Sequence, residues 1–502
     1  MSASPAPPRV TPDLPRLRDA LAAADYTLDG ILGCLGDRAA RALHREQPTP
    51  AELVTRPLTT PVAVLVRLFA LGYAVEAARV DAALPGFGTD RLVEHGLVAR
   101  EPAGVRALFD LRPYADEDHA WWVLSDLSEV MTGEPLLTDH VLGIGGASTT
   151  LASWTPRRAA ATALDLGTGC GVQSLHLSTH AASVVATDTS ERALAMAAAN
   201  AALNGQDWEL RRGDLLAPVQ GQRFDLVVSN PPFVITPRTG EVPDYEYRDG
   251  GRVGHEVVRS LVRGVGEHLE PGGVAQLLGN WEVPVGGDWR EVVGEWLDGT
   301  GLDAWVVQRE SQDPAEYTEL WLGDGGHRYG TTGFADMYAA WLEDFASRDV
   351  ERVGFGVITL QRPASDREPW RDLVEVTGHV AQPMGPAVDA GLRARTWLAE
   401  HGDPGVLATA WRCADDVTEE RYARPGADDP SVILVRQGGG LGRTVRAGTV
   451  LAAFLSVCDG ELPAGPALDA IASLLDVSPE AVSDEALPDV RSLVADGLLV
   501  AD

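Results

Sequence analysis

A chain of 502 residues is too long for one ordinary hydrophobic core and corresponds to about three domains. With 45% apolar and 23% charged residues it has the composition of a folded protein, which excludes extensive disorder. Its 41 basic residues, all arginine, face 73 acidic ones for a net charge of −32, so strong non-specific nucleic-acid binding is excluded and an RNA substrate would need a local arginine patch or a partner.

The opening MSASPAPPRVTPDLPRL is proline-rich and lacks a basic segment followed by an apolar one, so no signal peptide is expected. Residues 15–112 read mostly as short helices, with apolar residues at helical spacing through LVRLFALGYAVEAARVDAAL. DRLVEHGLVAR then leads into the β-like VRALFDLRP, a texture resembling a winged-helix module suited to docking or packing. The most apolar run, PVAVLVRLFALGYAV, is broken by Arg67 and is too short to span a bilayer. Trp121 and Trp122 are expected in a core or between domains. Cys34, Cys170, Cys413 and Cys458 lack CxxC spacing, which points to neither a disulfide framework nor a cysteine metal site and fits the cytosol.

The middle of the chain alternates strand and helix. Strands are predicted at 161–166, 183–188, 208–214, 224–230, 273–280, 304–310 and 355–362. ERALAMAAANAAL reads as a helix capped by Thr189-Ser190 before it and Asn204-Gly205 after it. Such alternation implies a mostly parallel sheet with helices on both faces, and ligands then bind beyond the carboxyl ends of the strands.

Those ends carry the chemistry. The first strand runs into DLGTGCGV, where Asp165, Gly167, Gly169 and Gly171 flank Thr168; the dinucleotide fingerprint would need glycine at the position of Val172. Glycines let the backbone approach a ligand closely, and an acid can bind a cationic amino group. The second strand ends in Asp188, which can accept from both hydroxyls of a ribose. Asp214 and Leu215 follow the third strand, and NPPF, Asn230 to Phe233, follows the fourth.

LDLGTGCG, VVATD, GD and NPPF in this order resemble the class I S-adenosylmethionine-dependent methyltransferases of the branch that methylates amino or amide nitrogens. The resemblance covers roughly residues 130–362 and implies S-adenosylmethionine as cofactor. By that likeness Gly167, Gly169 and Gly171 line its methionine part with Asp165 near the amino group, Asp188 holds the ribose, Asp214 and Leu215 border the adenine, and Thr168 and Asn230 complete the cofactor-binding set. DHVLGIGGASTTLASW looks like the segment that covers the cofactor, with Ser148 and Thr149 as further candidates. YRDGGRVGHEVVRSLV resembles the turn and helix that follow NPPF in protein-glutamine and RNA methyltransferases, with Asp249, Gly250 and Gly251 near the substrate mouth. The expected fold is a seven-stranded Rossmann-like sheet at 129–362. A mostly helical N-terminal domain (1–128) and an α+β C-terminal domain (363–502) with winged-helix-like elements flank it.

NPPF would act through acceptors. Asn230 Oδ1 and the Pro231 carbonyl would receive the two hydrogens of a conjugated NH2, freeing the nitrogen lone pair toward the methyl group. Pro231 and Pro232 fix their φ angles and remove two donors, and Phe233 can stack on a flat substrate. The substrate expected is a nucleobase in RNA, with a protein glutamine, a small molecule or a non-catalytic binding role as alternatives. Asn280 is expected to face the site from the end of the fifth strand, while Trp281 reads as interior packing. His176 and His180 lack the glutamate of HExxH, so no metal is expected. RQGGGLGRTVR, with Arg436, Arg443 and Arg446, reads as a hairpin turn. A partner protein could dock on the flanking domains; no membrane contact is expected.

Overall fold

The computed structural model describes residues 4–134, 136–238, 245–426 and 429–501. The N-terminal module begins with helices Pro15–Ala23 and Leu28–His44. Its most apolar run forms Pro61–Leu65 and a π-helical turn, Val66–Ala70, with Val66, Leu68 and Phe69 fully buried. Two antiparallel hairpins follow: β1 (Val98–Glu101) with β2 (Gly104–Ala107), and β3 (Asp110–Ala115) with β4 (Ala120–Ser125). No helix among the described residues is long and apolar enough to cross a membrane.

The central unit is an α/β layer structure. Its strands are β5 (Ala160–Leu166), β6 (Ala181–Asp188), β7 (Trp208–Arg212), β8 (Phe224–Ser229), β9 (Leu269–Pro284), β10 (Asp303–Gln312), β11 (Val350–Gln361) and β12 (Arg371–Glu375). Their order is β12-β10-β11-β9-β8-β5-β6-β7. From β7 to β9 all pairs are parallel, and β11 runs antiparallel to both β9 and β10. The buried runs of β5 and β8 are apolar on both faces until Asp165 and Ser229 near their carboxyl ends, as a parallel strand between helical layers requires. Strand order reverses between β5 and β8, so the crevice above their carboxyl ends is where a ligand fits.

Among the described residues the sheet has eight strands, against the seven expected. After Gln361 the chain returns as β12, beyond the expected limit at residue 362, and pairs in parallel with β10. This moves the sheet's open edge from the ten-residue β10 to a five-residue strand, and short edges resist unwanted pairing.

Helix Glu191–Asn204 is capped as its sequence predicts, with Ser190 Oγ accepting from Ala193 N and Gly205 in the left-handed conformation. It also clamps the N-terminal module. Asn204 Oδ1 accepts from Trp122 N at 3.0 Å, and Asn200 Oδ1 accepts from Leu124 N at 2.7 Å. Their amides donate back to the carbonyls of the same two residues at 2.8 and 2.9 Å. Two side chains thus pair the edge of β4 as a neighbouring strand would. Trp121 and Trp122 are both buried at this junction, and Trp122 Nε1 donates to Tyr26 O at 2.7 Å.

Helix Gly385–Ala408 leads out of the central unit. Val388 and Leu392 belong to the core shared by the N-terminal module and one face of the sheet, whereas Leu398 and Val406 belong to a separate C-terminal core. That last part holds β13 (Ala410–Cys413), β14 (Val417–Tyr422), β15 (Val432–Gln437), β16 (Thr444–Ala447), β17 (Asp459–Pro463) and β18 (Leu499–Val500). They form two three-stranded sheets, β17-β13-β18 and β14-β15-β16, with three helices, Thr449–Leu455, Ala464–Leu475 and Pro479–Ala495.

Candidate active site

The glycine loop after β5 is held from β6. Gly167 N and Thr168 N both donate to Thr187 O at 2.9 Å, and Gly169 N donates to Asp188 Oδ2 at 2.9 Å. Asp188 Oδ1 accepts from Ser190 N, also at 2.9 Å. Burial pushes the Asp188 carboxyl up, against these backbone donors. Each carboxylate oxygen keeps a further lone pair for a ligand hydroxyl.

The expected roles of two residues in this loop differ from their positions. Gly171 has φ of 91°, and a Cβ there would lie 2.6 Å from Trp208 Cζ3; it closes the turn against a ring and does not line the cavity. Asp165 lies beneath the loop at 1% exposure and is likewise absent from the lining. Its Oδ2 accepts from Thr168 Oγ1 at 2.6 Å, Ser174 Oγ at 2.7 Å and Ser174 N at 3.0 Å. Burial outweighs these donors and pushes its carboxyl up to about 6. Asp165 therefore shapes the loop from below.

A cavity of about 210 Å³ lies over the strand ends. Gly167, Thr168, Gly169 and Asp188 line it from β5 and β6, Asp214 and Leu215 from the end of β7, and Asn230, Pro231 and Pro232 from the end of β8. Asp214 is exposed at the rim, with Oδ2 3.2 Å from Arg252 Nη2. Leu215 adopts φ of 45°, a conformation costing a non-glycine residue roughly 1–3 kcal/mol, which marks a constrained turn. Ser148 lines the cavity and its carbonyl accepts from Gln173 Nε2 at 2.8 Å, but Thr149 turns back to its own helix, donating to Gly146 O at 3.0 Å. Asp249 and Gly250 reach the cavity, and Gly251 does not.

Beyond β8 the acceptor turn is fixed from behind. Ser229 Oγ donates to Leu166 O at 2.7 Å, Val234 N to Arg248 O at 2.9 Å, and Ile235 N to Tyr317 Oη at 2.9 Å. Asn280 is absent from both cavity linings; its Nδ2 donates to the same Tyr317 Oη at 2.9 Å, so it supports the turn indirectly. Trp281 is fully buried, donating to Gln308 Oε1 at 2.7 Å. Asn230 Oδ1 is buried and has no hydrogen-bond partner among the described residues.

Asn230 and Pro231 also line a second cavity of about 620 Å³, which shares His140, Leu142, Gly143 and Tyr247 with the first. Phe233 belongs to this second cavity alone and meets Trp321 edge-on, ring centroids 6.3 Å apart. Tyr247 and Arg248, which open the YRDGG segment but were not singled out, line it too, and sequence reasoning missed Trp321 and Asp324, which come from helix Pro314–Asp324 about seventy residues away. Arg248 is paired with Asp324 at 2.9 Å and lies over the Tyr245 ring at 4.5 Å.

Other features sit elsewhere. His176 Nε2 is 2.7 Å from Tyr114 Oη, and Nδ1 is 3.4 Å from Asp116; burial holds this imidazole down at about 4. The glycine-rich turn of residues 438–443 joins antiparallel β15 and β16 as a hairpin, with Arg436 paired to Glu420 and Arg443 to Asp496.

This parallel core, with a glycine loop, an acidic end of β6 and an asparagine-proline turn at one crevice, has the arrangement of a methyltransferase. Residues 143–296 match the Methyltransferase small domain. Residues 23–108 match a Domain of unknown function (DUF7059). The Ribosomal protein uL3 glutamine methyltransferase of Bradyrhizobium diazoefficiens is 36% identical over 175 residues, 32% of this chain and 54% of that protein. The Release factor glutamine methyltransferase of Geobacter sulfurreducens is 38% identical over 125 residues, covering 24% and 44%. The Ribosomal RNA small subunit methyltransferase C of Alcanivorax borkumensis is 34% identical over 135 residues, covering 27% and 34%. The chain spans about half or less of the length of these relatives.

Proposed function

We propose that the protein transfers a methyl group from S-adenosylmethionine to an exocyclic amino nitrogen of a nucleobase in RNA. The observation that carries this reading is Asn230: it lines both cavities and holds a buried acceptor without a partner among the described residues. The residues present fit the cofactor. Gly167 and Gly169, with φ of 75° and 54°, keep the loop wall free of side chains, and Asp188 has lone pairs left for the ribose hydroxyls. Thr168 would border the methionine part, with Asp165 and Gly171 holding the loop; Asp214 and Leu215 would flank the adenine.

When bound, S-adenosylmethionine supplies an electrophilic methyl on a sulfonium. Asn230 Oδ1 and the Pro231 carbonyl accept the two N–H hydrogens, turning the nitrogen lone pair toward that methyl. Both are weak bases, so the turn acts by orientation and by hydrogen bonds that strengthen as positive charge develops on nitrogen. Pro232 keeps the turn rigid and offers no N–H to compete, and Phe233 with Trp321 forms the aromatic side of the acceptor cavity.

A second reading, methylation of a glutamine amide in a protein, is favoured by one observation. The arginines lining the two cavities, Arg112, Arg248 and Arg252, each pair with a carboxylate, which removes positive charge that phosphates would use. The experiment is incubation with tritiated cofactor and separate RNA and protein pools from the source cell. Label in RNA supports the first reading, label in protein the second, and label in neither overturns both.

The three units, 1–128, 129–362 and 363–502, are proposed as working domains, with β12 lent to the central sheet. The helix-and-hairpin textures of the outer units are proposed as winged-helix-like, and their exposed faces as docking sites for a partner protein. Four free cysteines fit a cytoplasmic location.

A further inference from the structure

Resting on the transfer reading above, we infer that the N-terminal module is the specificity wall of the acceptor cavity. Its specificity-determining group is Asp110 on β3, which accepts a hydrogen bond from an N–H on the edge of the bound nucleobase.

The second cavity is built by two modules. Asn230, Pro231 and Phe233 form its wall at the end of β8, while Asp110, Arg112, Val123 and Ser125 come from the β3–β4 hairpin. Leu43 and His44, at the end of helix Leu28–His44, Glu46 just beyond it, and Ala70 and Leu71 also lie on the N-terminal side. At about 620 Å³ the cavity falls within the roughly 300–1,000 Å³ of small-molecule sites, so it has room for a unit larger than an amino group alone. A base turned out of a strand is such a unit.

Asp110 is 6% exposed. Its Oδ2 lies 2.6 Å from Arg112 Nε as an ion pair without hydrogen-bond geometry, and its Oδ1 is buried with no hydrogen-bond partner among the described residues. Buried acceptors in folded proteins are normally paired, and one left over beside a cavity calls for a donor from a ligand. Asn230 Oδ1 is in the same condition on the other module's wall. Two unpaired acceptors suit a flat group with N–H donors on its edge and disfavour a phosphate, which offers only acceptors.

The hairpin that carries Asp110 is held in place. Asn200 and Asn204 pair with the backbone of β4, and Asp110 faces Ser125 of β4 across the ladder. A preorganised acceptor rejects analogues that lack the matching donor, because its own desolvation is then uncompensated.

The test is a steady-state assay of the full chain with tritiated S-adenosylmethionine and deproteinised total RNA from the source cell. S-adenosylhomocysteine affinity is followed by calorimetry. Asp110→Asn is expected to raise the apparent KM for the RNA about tenfold or more, with kcat and S-adenosylhomocysteine affinity unchanged. Because Asp110→Asn could disturb the hairpin, His44→Trp, at an exposed lining position, is measured beside it and should also raise KM alone. An unchanged KM in Asp110→Asn removes Asp110 as the specificity group, and an unchanged KM in both variants, with the wild type active, overturns the whole inference while leaving the transfer reading intact. Wild-type enzyme that labels protein alone overturns the nucleobase assignment, and wild type that labels neither overturns the transfer reading first.

Discussion

At the scale of single residues, the acceptor turn and the carboxylates around it have separable tasks. Removing the Asn230 acceptor should cost about 10²–10³ in kcat, the range for one transition-state hydrogen-bonding group. S-adenosylhomocysteine binding by Asn230→Ala should remain close to wild type, and turnover at the wild-type rate would remove Asn230 from the chemistry. Asp165 has a different signature, because burial raises its folded-state carboxyl to about 6 from an ordinary 3.8. A raised carboxyl contributes stability in full below its unfolded value and loses it as pH rises through its folded value. The stability of wild type relative to Asp165→Asn should therefore fall as pH rises from about 4 to 6 and level off above about 7, as read by urea unfolding. A difference independent of pH would mean that Asp165 is not buried as an ionisable acid.

At the scale of elements, the helix Glu191–Asn204 joins the cofactor side of the site to the substrate side. Asn200 is fully buried, bonds both backbone groups of Leu124 and donates to Cys170 O at 2.7 Å in the glycine loop. Asn200→Ala would leave three buried backbone groups without that partner, a loss of at least about 2 kcal/mol. The midpoint of urea unfolding should shift accordingly, and both cofactor affinity and the acceptor KM should worsen together. The helix and its caps were legible in the sequence because capping residues act within a few positions of the element they end. The clamp was not, since an asparagine on a helix face becomes a strand mimic only when an edge arrives beside it.

For the whole molecule, the division of the core predicts how the chain unfolds. One continuous core runs from Leu14 in the N-terminal module through Leu226 and Val357 of the sheet to Leu392, and among the described residues of the C-terminal module only Leu441, in the β15–β16 turn, joins its buried residues. The C-terminal module has its own core, from Leu398 to Leu499. Calorimetry should show the N-terminal and central units melting in one transition and the C-terminal module in another. S-adenosylhomocysteine should raise only the first, because ligand binding stabilises the unit that holds the site. A single transition moved as a whole by the ligand would show that the cores are coupled.

The sequence by itself determined the alternating α/β unit, the region where each of its first four strands ends, and the residue types that stand there, whereas β9 and β10 run on past their expected ends to Pro284 and Gln312. Those are local properties: a glycine turn, an acid after a strand and an asparagine before two prolines are each written within a few positions. Tertiary structure alone decided that Gly171 packs on Trp208, that Asp165 holds the loop from below and that an eighth strand extends the sheet. It alone also brought Asp110 to the cavity that Asn230 lines. Each depends on residues far apart in the chain meeting only after folding, and no periodicity or motif records such a meeting in advance.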